Sequence, residues 1–125
     1  MVIFAFSTRK DQHHRLNKLQ SYSLPSSSYT NLTLGTSGTT YTAPADGWFY
    51  ISKKSSASDQ SISFNYLNGN NEVYASWNMI STNTSQILSF LRPVSKGQKV
   101  QINYASTGVT NDFKFIYALG SEPQT

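Results

Sequence analysis

The chain has 125 residues, of which 38% are hydrophobic, 14% aromatic and only 13% charged. This length suits one domain with one hydrophobic core, and low charge with abundant aromatic residues excludes a disordered chain. There is no cysteine, which excludes disulfides, thiolate metal sites and cysteine nucleophiles, and the net charge of +4 forms no basic stripe with interleaved aromatic residues, so nucleic acid is not an expected partner.

The first predicted segment is a basic lead, residues 1–20, which holds both histidines. Its start is apolar for only five residues after Met1, which predicts neither a signal peptide nor a membrane span. His13 and His14 are adjacent, and adjacent side chains diverge on a strand or a helix, so they do not predict a shared metal ion. One histidine from each of three subunits on a symmetry axis stays open as an alternative.

From residue 21 onward the chain predicts short strands between turns, so residues 21–125 are expected to form one β domain. Residues 23–31, SLPSSSYTN, predict a loop because they are rich in serine and contain a proline. Later segments alternate apolar and polar residues with a period of two, as strands buried on one face do. The apolar sets are Ile62, Phe64 and Tyr66; Val73, Ala75, Trp77 and Met79; Leu88 and Phe90; Val100, Ile102 and Tyr104; Phe113, Phe115, Tyr117 and Leu119.

This regular spacing, with no helical period between the strands, predicts an all-β antiparallel sandwich or barrel. The sequence NGNN at 68–71 is the strongest hairpin signal, because Asn-Gly tolerates positive φ.

The segment TYTAPADGWFYI at 40–51 combines a turn with a strand that is bulky on both faces. Pro44 restricts the chain, while Asp46 and Gly47 are typical turn residues, and Gly47 is expected to supply an unusual φ. In the strand that follows, Trp48 and Tyr50 face one side and Phe49 and Ile51 the other. One face therefore suits the core, and the other suits either a subunit interface or an edge covered by loops.

Three motifs carry a resemblance to known proteins. Residues 41–48, YTAPADGW, resemble the T-A-P-x-D-G motif before an early strand in the tip domains of phage and prophage tail or head fibres. Residues 93–100, PVSKGQKV, are similar to the turn before a late strand of that family, and residues 113–117, FKFIY, resemble its aromatic final strand. The resemblance covers residues 21–120 and implies a two-sheet jelly roll of the C1q and tumour-necrosis-factor class.

The resemblance further implies a homotrimer in the virion, at a fibre tip, that adheres to a bacterial surface glycan or protein receptor without inserting into the membrane. It carries no catalytic residue, metal ion or cofactor. Three alternatives remain open at this point: a virion decoration or fibre-trimerisation module without a receptor, a cellular carbohydrate-binding lectin, and a nucleic-acid-binding barrel.

One hairpin tip has the composition of a sugar site, since aromatic rings stack on sugar CH groups while amides bond to hydroxyls. Its members are Tyr66, Asn68, Asn70, Asn71 and Tyr74. The alternative is that these residues serve only packing and turn formation. Enzymatic chemistry is not predicted, because nothing positions two carboxylates across a cleft and no G-x-S-x-G elbow is present.

Overall fold

The computed structural model describes residues 24–105 and 108–124, so the lead segment 1–20 lies outside the described residues. The described chain forms eight β-strands. They are β1 Pro25–Asn31, β2 Thr39–Thr42, β3 Gly47–Lys54, β4 Ser61–Leu67, β5 Val73–Ile80, β6 Ile87–Val94, β7 Lys99–Ala105 and β8 Val109–Ala118.

The strands form two four-stranded sheets, in the orders β1-β8-β3-β6 and β2-β7-β4-β5, and every neighbouring pair is antiparallel. Only the β4–β5 connection joins neighbours within one sheet, whereas every other connection crosses between the sheets. The architecture is a jelly-roll sandwich, which confirms the predicted all-β class. Within residues 24–105 and 108–124 no helix is long and apolar enough to span a membrane.

The core lies between the sheets, where the inward faces of the alternating strands meet. Its largest fully buried side chains are Phe49, Phe64, Phe115, Ile51, Ile62, Ile102 and Val100. Phe49 packs against Phe115 with ring centroids 5.2 Å apart in an edge-to-face arrangement, which aromatic pairs favour. At the margins of the core, Val73 is 50% exposed, and Leu119 is exposed beyond the end of β8.

The loop predicted over residues 23–31 is wrong for most of its length, because Pro25–Asn31 form β1. Among the described strands, β1 lies at the edge of its sheet and pairs with β8 alone. Proline is tolerated as the first residue of an edge strand, where its missing N–H removes no ladder bond. The residue propensities of this segment therefore failed to predict β1, because its strand conformation depends on pairing with β8.

The turn before β3 is tied to two other parts of the chain. Asp46 Oδ1 accepts a hydrogen bond from the backbone N–H of Lys96 at 2.8 Å, and the Asp46 carbonyl accepts one from the N–H of Ala118 at 3.0 Å. Gly47 does not have positive φ, so that expectation is wrong. A Cβ at Gly47 would lie 2.2 Å from the carbonyl oxygen of Ile116, so glycine is required here by close packing against β8.

Lys53 is a buried cation between the sheets, with 8% of its surface exposed. Its Nζ donates to the carbonyl oxygen of Gly108 at 2.9 Å and lies 4.4 Å from the centroid of the Tyr104 ring. Burial lowers the pKa of Lys53 from its ordinary value of 10.5, because it disfavours the charged form.

This lowered pKa predicts a pH dependence of stability. Between the folded-state pKa of Lys53 and 10.5 the unfolded chain binds more protons, so folding becomes more favourable as pH rises through that window. We expect the unfolding free energy of the wild type, relative to Lys53→Met, to increase as pH approaches 10.5. Urea denaturation at a series of pH values measures this difference. The control is Lys54→Met, at the exposed neighbouring position. If the difference in unfolding free energy between the wild type and Lys54→Met rose equally with pH, the pH dependence could not be assigned to the burial of Lys53.

Candidate functional site

The predicted hairpin turn joins β4 to β5 at one end of the sandwich. It is closed by a hydrogen bond from the N–H of Asn71 to the carbonyl of Asn68 at 3.0 Å. Asn71 has φ 61°, whereas Gly69 is not in the left-handed region, so the predicted hairpin forms but a different residue takes the unusual conformation. Asparagine adopts this conformation more readily than other non-glycine residues.

The side-chain amide of Asn68 is used within the turn. Its Oδ1 accepts from the N–H groups of Asn70 at 2.9 Å and Glu72 at 3.0 Å, and its Nδ2 donates to Glu72 Oε1 at 3.2 Å. The Asn71 side chain accepts a hydrogen bond from Lys99 Nζ at 3.2 Å. Asn68 and Asn71 therefore shape the turn, which leaves Asn70 as the asparagine with its side chain turned to solvent.

The two tyrosines beside the turn have different environments. Tyr66 packs edge-to-face on Trp77, with centroids 5.2 Å apart, and its hydroxyl donates to the carbonyl of Pro93. Burial raises the pKa of Tyr66, Arg92 opposes this, and Tyr74 adds to it. The Tyr74 side chain is 57% exposed, and its hydroxyl donates to Gln98 Oε1 at 3.0 Å. The ring of Tyr74 is therefore accessible to a ligand, whereas Tyr66 packs against Tyr74 with their ring centroids 6.0 Å apart.

A cleft of about 320 Å³ separates the β4–β5 turn from the β6–β7 turn; we call it the hairpin cleft. One side is formed by residues 67–69 with Tyr74, and the other by residues 95–99. Gln98 joins the two sides, because its Nε2 donates to the carbonyls of Leu67 and Lys99, both at 2.9 Å. Of the five predicted sugar-site residues, Asn68 and Tyr74 line the cleft, and Asn71 touches it through Lys99.

The β6–β7 contribution to this cleft was missed by the sequence reasoning. The motif PVSKGQKV predicted a turn, and Gly97 adopts φ 88° there. Its closeness to the β4–β5 turn depends on the pairing of β7 with β4, which places Leu67 opposite Lys99. The contact between the two turns could be predicted only if the order of the strands in the sheet were known. Lys96 also borders a second cleft of about 410 Å³, which includes Pro44, Asp46 and Tyr117.

The outer surface of the β1-β8-β3-β6 sheet carries large apolar side chains, and we call it the apolar outer face. Its members are Tyr29, Trp48, Tyr50, Ile87, Leu91 and Ile116. Trp48 and Tyr50 thus point away from the core, while Phe49 and Ile51 lie in it. Lys114 crosses this face, with its Nζ 4.7 Å from the Tyr29 ring centroid and 3.2 Å from Asp112 Oδ2.

The outer surface of the other sheet is polar instead, and we call it the polar outer face. Its polar residues, which are paired across neighbouring strands, are Thr40, Ser63, Asn65, Ser76, Asn78, Gln101 and Asn103. Asn65 links across three strands, donating to Gln101 Oε1 at 3.3 Å and accepting from the Ser76 hydroxyl. Apart from the exposed Ile80 at the end of β5, this face is therefore polar where the apolar outer face carries large apolar side chains.

Within the described ranges no group of three or more His, Asp or Glu side chains is placed to hold a metal ion. His13 and His14 lie outside those ranges. The hairpin cleft contains the exposed ring of Tyr74 and the side chains of Lys96 and Lys99, which are groups suited to binding a ligand.

The described chain is thus a jelly-roll β-sandwich with a cleft at one end and one apolar outer face. No protein-family model matches it, and no curated protein matches it. Three solved structures are similar in part. The first is a carbohydrate-binding module from Cellvibrio mixtus lichenase 5A in complex with cellotriose, with 17% sequence identity and a TM-score of 0.34 over 75% of this chain and 72% of that chain. The second is FlgD from P. aeruginosa, with 12% identity and a TM-score of 0.33 over 68% of this chain and 76% of that chain. The third is a family 6 carbohydrate-binding module, with 13% identity and a TM-score of 0.37 over 74% of this chain and 84% of that chain. A likeness at this level carries no conclusion about ligand or partner.

Proposed function

We propose that this protein is a non-enzymatic, glycan-binding jelly-roll domain that acts as a homotrimer at the tip of a phage or prophage fibre, against a bacterial surface. The observation that carries the proposed binding is the exposed Tyr74 ring at the mouth of the hairpin cleft. The three fibre-like motifs support the virion setting. The strand order, with an apolar outer face on one sheet, supports the trimer.

The hairpin cleft has the features that sugar binding requires. Tyr74 is held by Gln98, whose own amide is fixed by two backbone carbonyls, so the ring is positioned before a ligand arrives. An aromatic ring held in this way loses little conformational entropy on binding. Binding at one such cleft is expected to be weak, and three clefts on a rigid trimer give avidity.

The apolar outer face suits a second copy of the same chain. Leu91, Ile87 and Tyr29 are each about half exposed on it, and contiguous apolar surface of this kind typically marks an interface. Lys114 forms an ion pair with Asp112 in the same chain, so its charge would already be paired if this face were buried in an interface. The polar outer face, covered with amides and hydroxyls, remains in solvent in this arrangement.

The trimer predicts a specific response to charge on the apolar outer face. Light scattering after size exclusion is expected to give about three times the chain mass of 13.9 kDa. Leu91→Glu is expected to reduce this to the mass of one chain, because an unpaired carboxylate would be buried. Ile80→Glu is the matched control, since Ile80 is 55% exposed on the opposite sheet and Leu91 is 48% exposed. A wild-type monomer, or equal effects of both variants, would overturn the trimer.

Binding itself is tested by retention of the fluorescently labelled wild type on bacterial cells and on immobilised surface polysaccharides, with Tyr74→Ala as the comparison. Saturable retention that is lost in Tyr74→Ala supports the proposed function. The apolar outer face specifically favours a second function, a trimerisation module of the virion. A trimer that is retained on none of these surfaces would establish that function in place of adhesion.

A further inference from the structure

We infer that the hairpin cleft recognises a glycan that carries an anionic group, a carboxylate or a phosphate. The inference rests on the proposed glycan-binding function and adds the chemical class of the ligand. It follows from the distribution of charge around the cleft, from the open groups on its walls and from the position of Tyr74.

Two lysines line the hairpin cleft without a carboxylate partner. Among the residues that the structure describes, an ion pair within 4.0 Å joins Lys114 to Asp112, and neither Lys96 nor Lys99 takes part in one. The Nζ of Lys99 donates to the neutral side chain of Asn71 at 3.2 Å. Neither ammonium group is therefore paired with a carboxylate of the described residues, and two like charges beside one cleft raise the local concentration of anions.

Two carboxylates are hydrogen-bonded to residues of the cleft wall. Asp46 Oδ1 accepts the backbone N–H of Lys96, and Glu72 Oε1 accepts from the Asn68 amide. Neither acid lines the hairpin cleft. The residues that do line it are positive or neutral, so the charged groups on the wall itself are those of Lys96 and Lys99.

A sugar ring, rather than a bare anion, fits the remaining wall. Tyr74 exposes its ring on the same side as Gly69, where a Cβ would have no heavy atom within 4 Å. This open space leaves room for a ring to approach. The predicted binding mode places a sugar on the Tyr74 ring and its acidic substituent towards Lys96 and Lys99 on the facing turn.

The test uses the 125-residue chain on an array of bacterial polysaccharides. The array contains acidic polymers, phosphate-bearing polymers and the carboxyl-reduced, neutral form of each acidic polymer. Retention of acidic or phosphate-bearing polymers with loss on the reduced forms supports the inference, and the two charged sets distinguish carboxylate from phosphate. Equal retention of the reduced forms would overturn the inference while the proposed function stands. Retention of no polymer would overturn both.

Variants then locate the charge. For a polymer that is retained, Lys96→Gln or Lys99→Gln is expected to weaken binding about fivefold, and the double variant about twentyfold, as for exposed charge pairs. Lys96→Arg should preserve binding, and Lys54→Gln, at the other end of the sandwich, is the matched control. Binding that falls equally in Lys54→Gln, or that survives Tyr74→Ala unchanged, would show generic attraction of a polyanion and overturn the inference.

Discussion

Replacement of Gly47 by alanine is expected to lower the free energy of unfolding by about 3 kcal/mol or more, at the upper end of the cost of overpacking. The new Cβ would lie 2.2 Å from the carbonyl oxygen of Ile116 and 2.6 Å from the Phe115 ring. Real Cβ contacts do not approach so closely, so β3 and β8 must separate. Because β8 is hydrogen-bonded to β3 along its length, this separation disturbs the middle of the sheet. Thermal and urea denaturation measure the loss.

The control for this prediction is Gly69→Ala, in the β4–β5 turn, where a Cβ has no atom within 4 Å and φ is not positive. It should change stability by less than about 1 kcal/mol, as surface substitutions do. Adding Phe115→Leu to Gly47→Ala is expected to give no rescue, because the backbone clash with Ile116 remains. A Gly47→Ala protein as stable as Gly69→Ala would contradict the close-packing role of Gly47.

Replacement of Ser81 by alanine is expected to cost about 1 to 3 kcal/mol, since it leaves the buried N–H of Gln60 without its acceptor and removes the donor to the carbonyl of Ala57. The Ser81 side chain is 0% exposed. Its hydroxyl donates to the carbonyl of Ala57 at 2.8 Å and accepts from the N–H of Gln60 at 2.9 Å. These bonds join the β3–β4 loop to the β5–β6 loop at the end of the sandwich opposite the hairpin cleft. Urea denaturation checks the loss of stability.

Hydrogen exchange at Gln60 gives a second measurement for the same variant. The N–H of Gln60 should lose protection in Ser81→Ala, because its acceptor has been removed. Ser63→Ala, on the polar outer face, is the control and should leave both stability and this exchange rate nearly unchanged. Full protection of Gln60 in Ser81→Ala would show that the hydroxyl is not its acceptor in solution.

Much of the fold was readable from the sequence because the inward faces obey a strict period of two. Ile62 and Phe64 in β4, like Val100 and Ile102 in β7, are buried as the alternation predicts. The pattern fails where pairing, not side-chain chemistry, specifies a strand, as in β1. It also fails for Lys53, because a buried cation satisfied by a carbonyl and an aromatic ring leaves no local signal in the sequence.

The candidate site was only partly predictable for a related reason. The turn at Asn68–Asn71 has a strong local signal, but that signal arises from turn formation, and the same chemistry occupies the Asn68 amide. Tyr74 was identified as a possible contact, whereas Lys96 and Lys99 entered the sequence analysis only as part of the turn motif PVSKGQKV. Their contribution depends on a contact between two turns that are separate in the sequence, and such a contact requires the strand order.

The strand order also has a consequence for when the protein can fold. The strand β8, the last along the chain, lies inside its sheet between β1 and β3. Until β8 has left the ribosome, β1 lacks the strand with which it pairs, and β3 lacks one of its two neighbours. Of the eight described strands, only β4 and β5 can pair as a hairpin of adjacent sequence. Such a predominance of long-range pairing is typical of domains that fold in milliseconds to seconds. The sandwich therefore closes after synthesis has passed residue 118, and a nascent chain halted earlier exposes the apolar strands to chaperones and to aggregation.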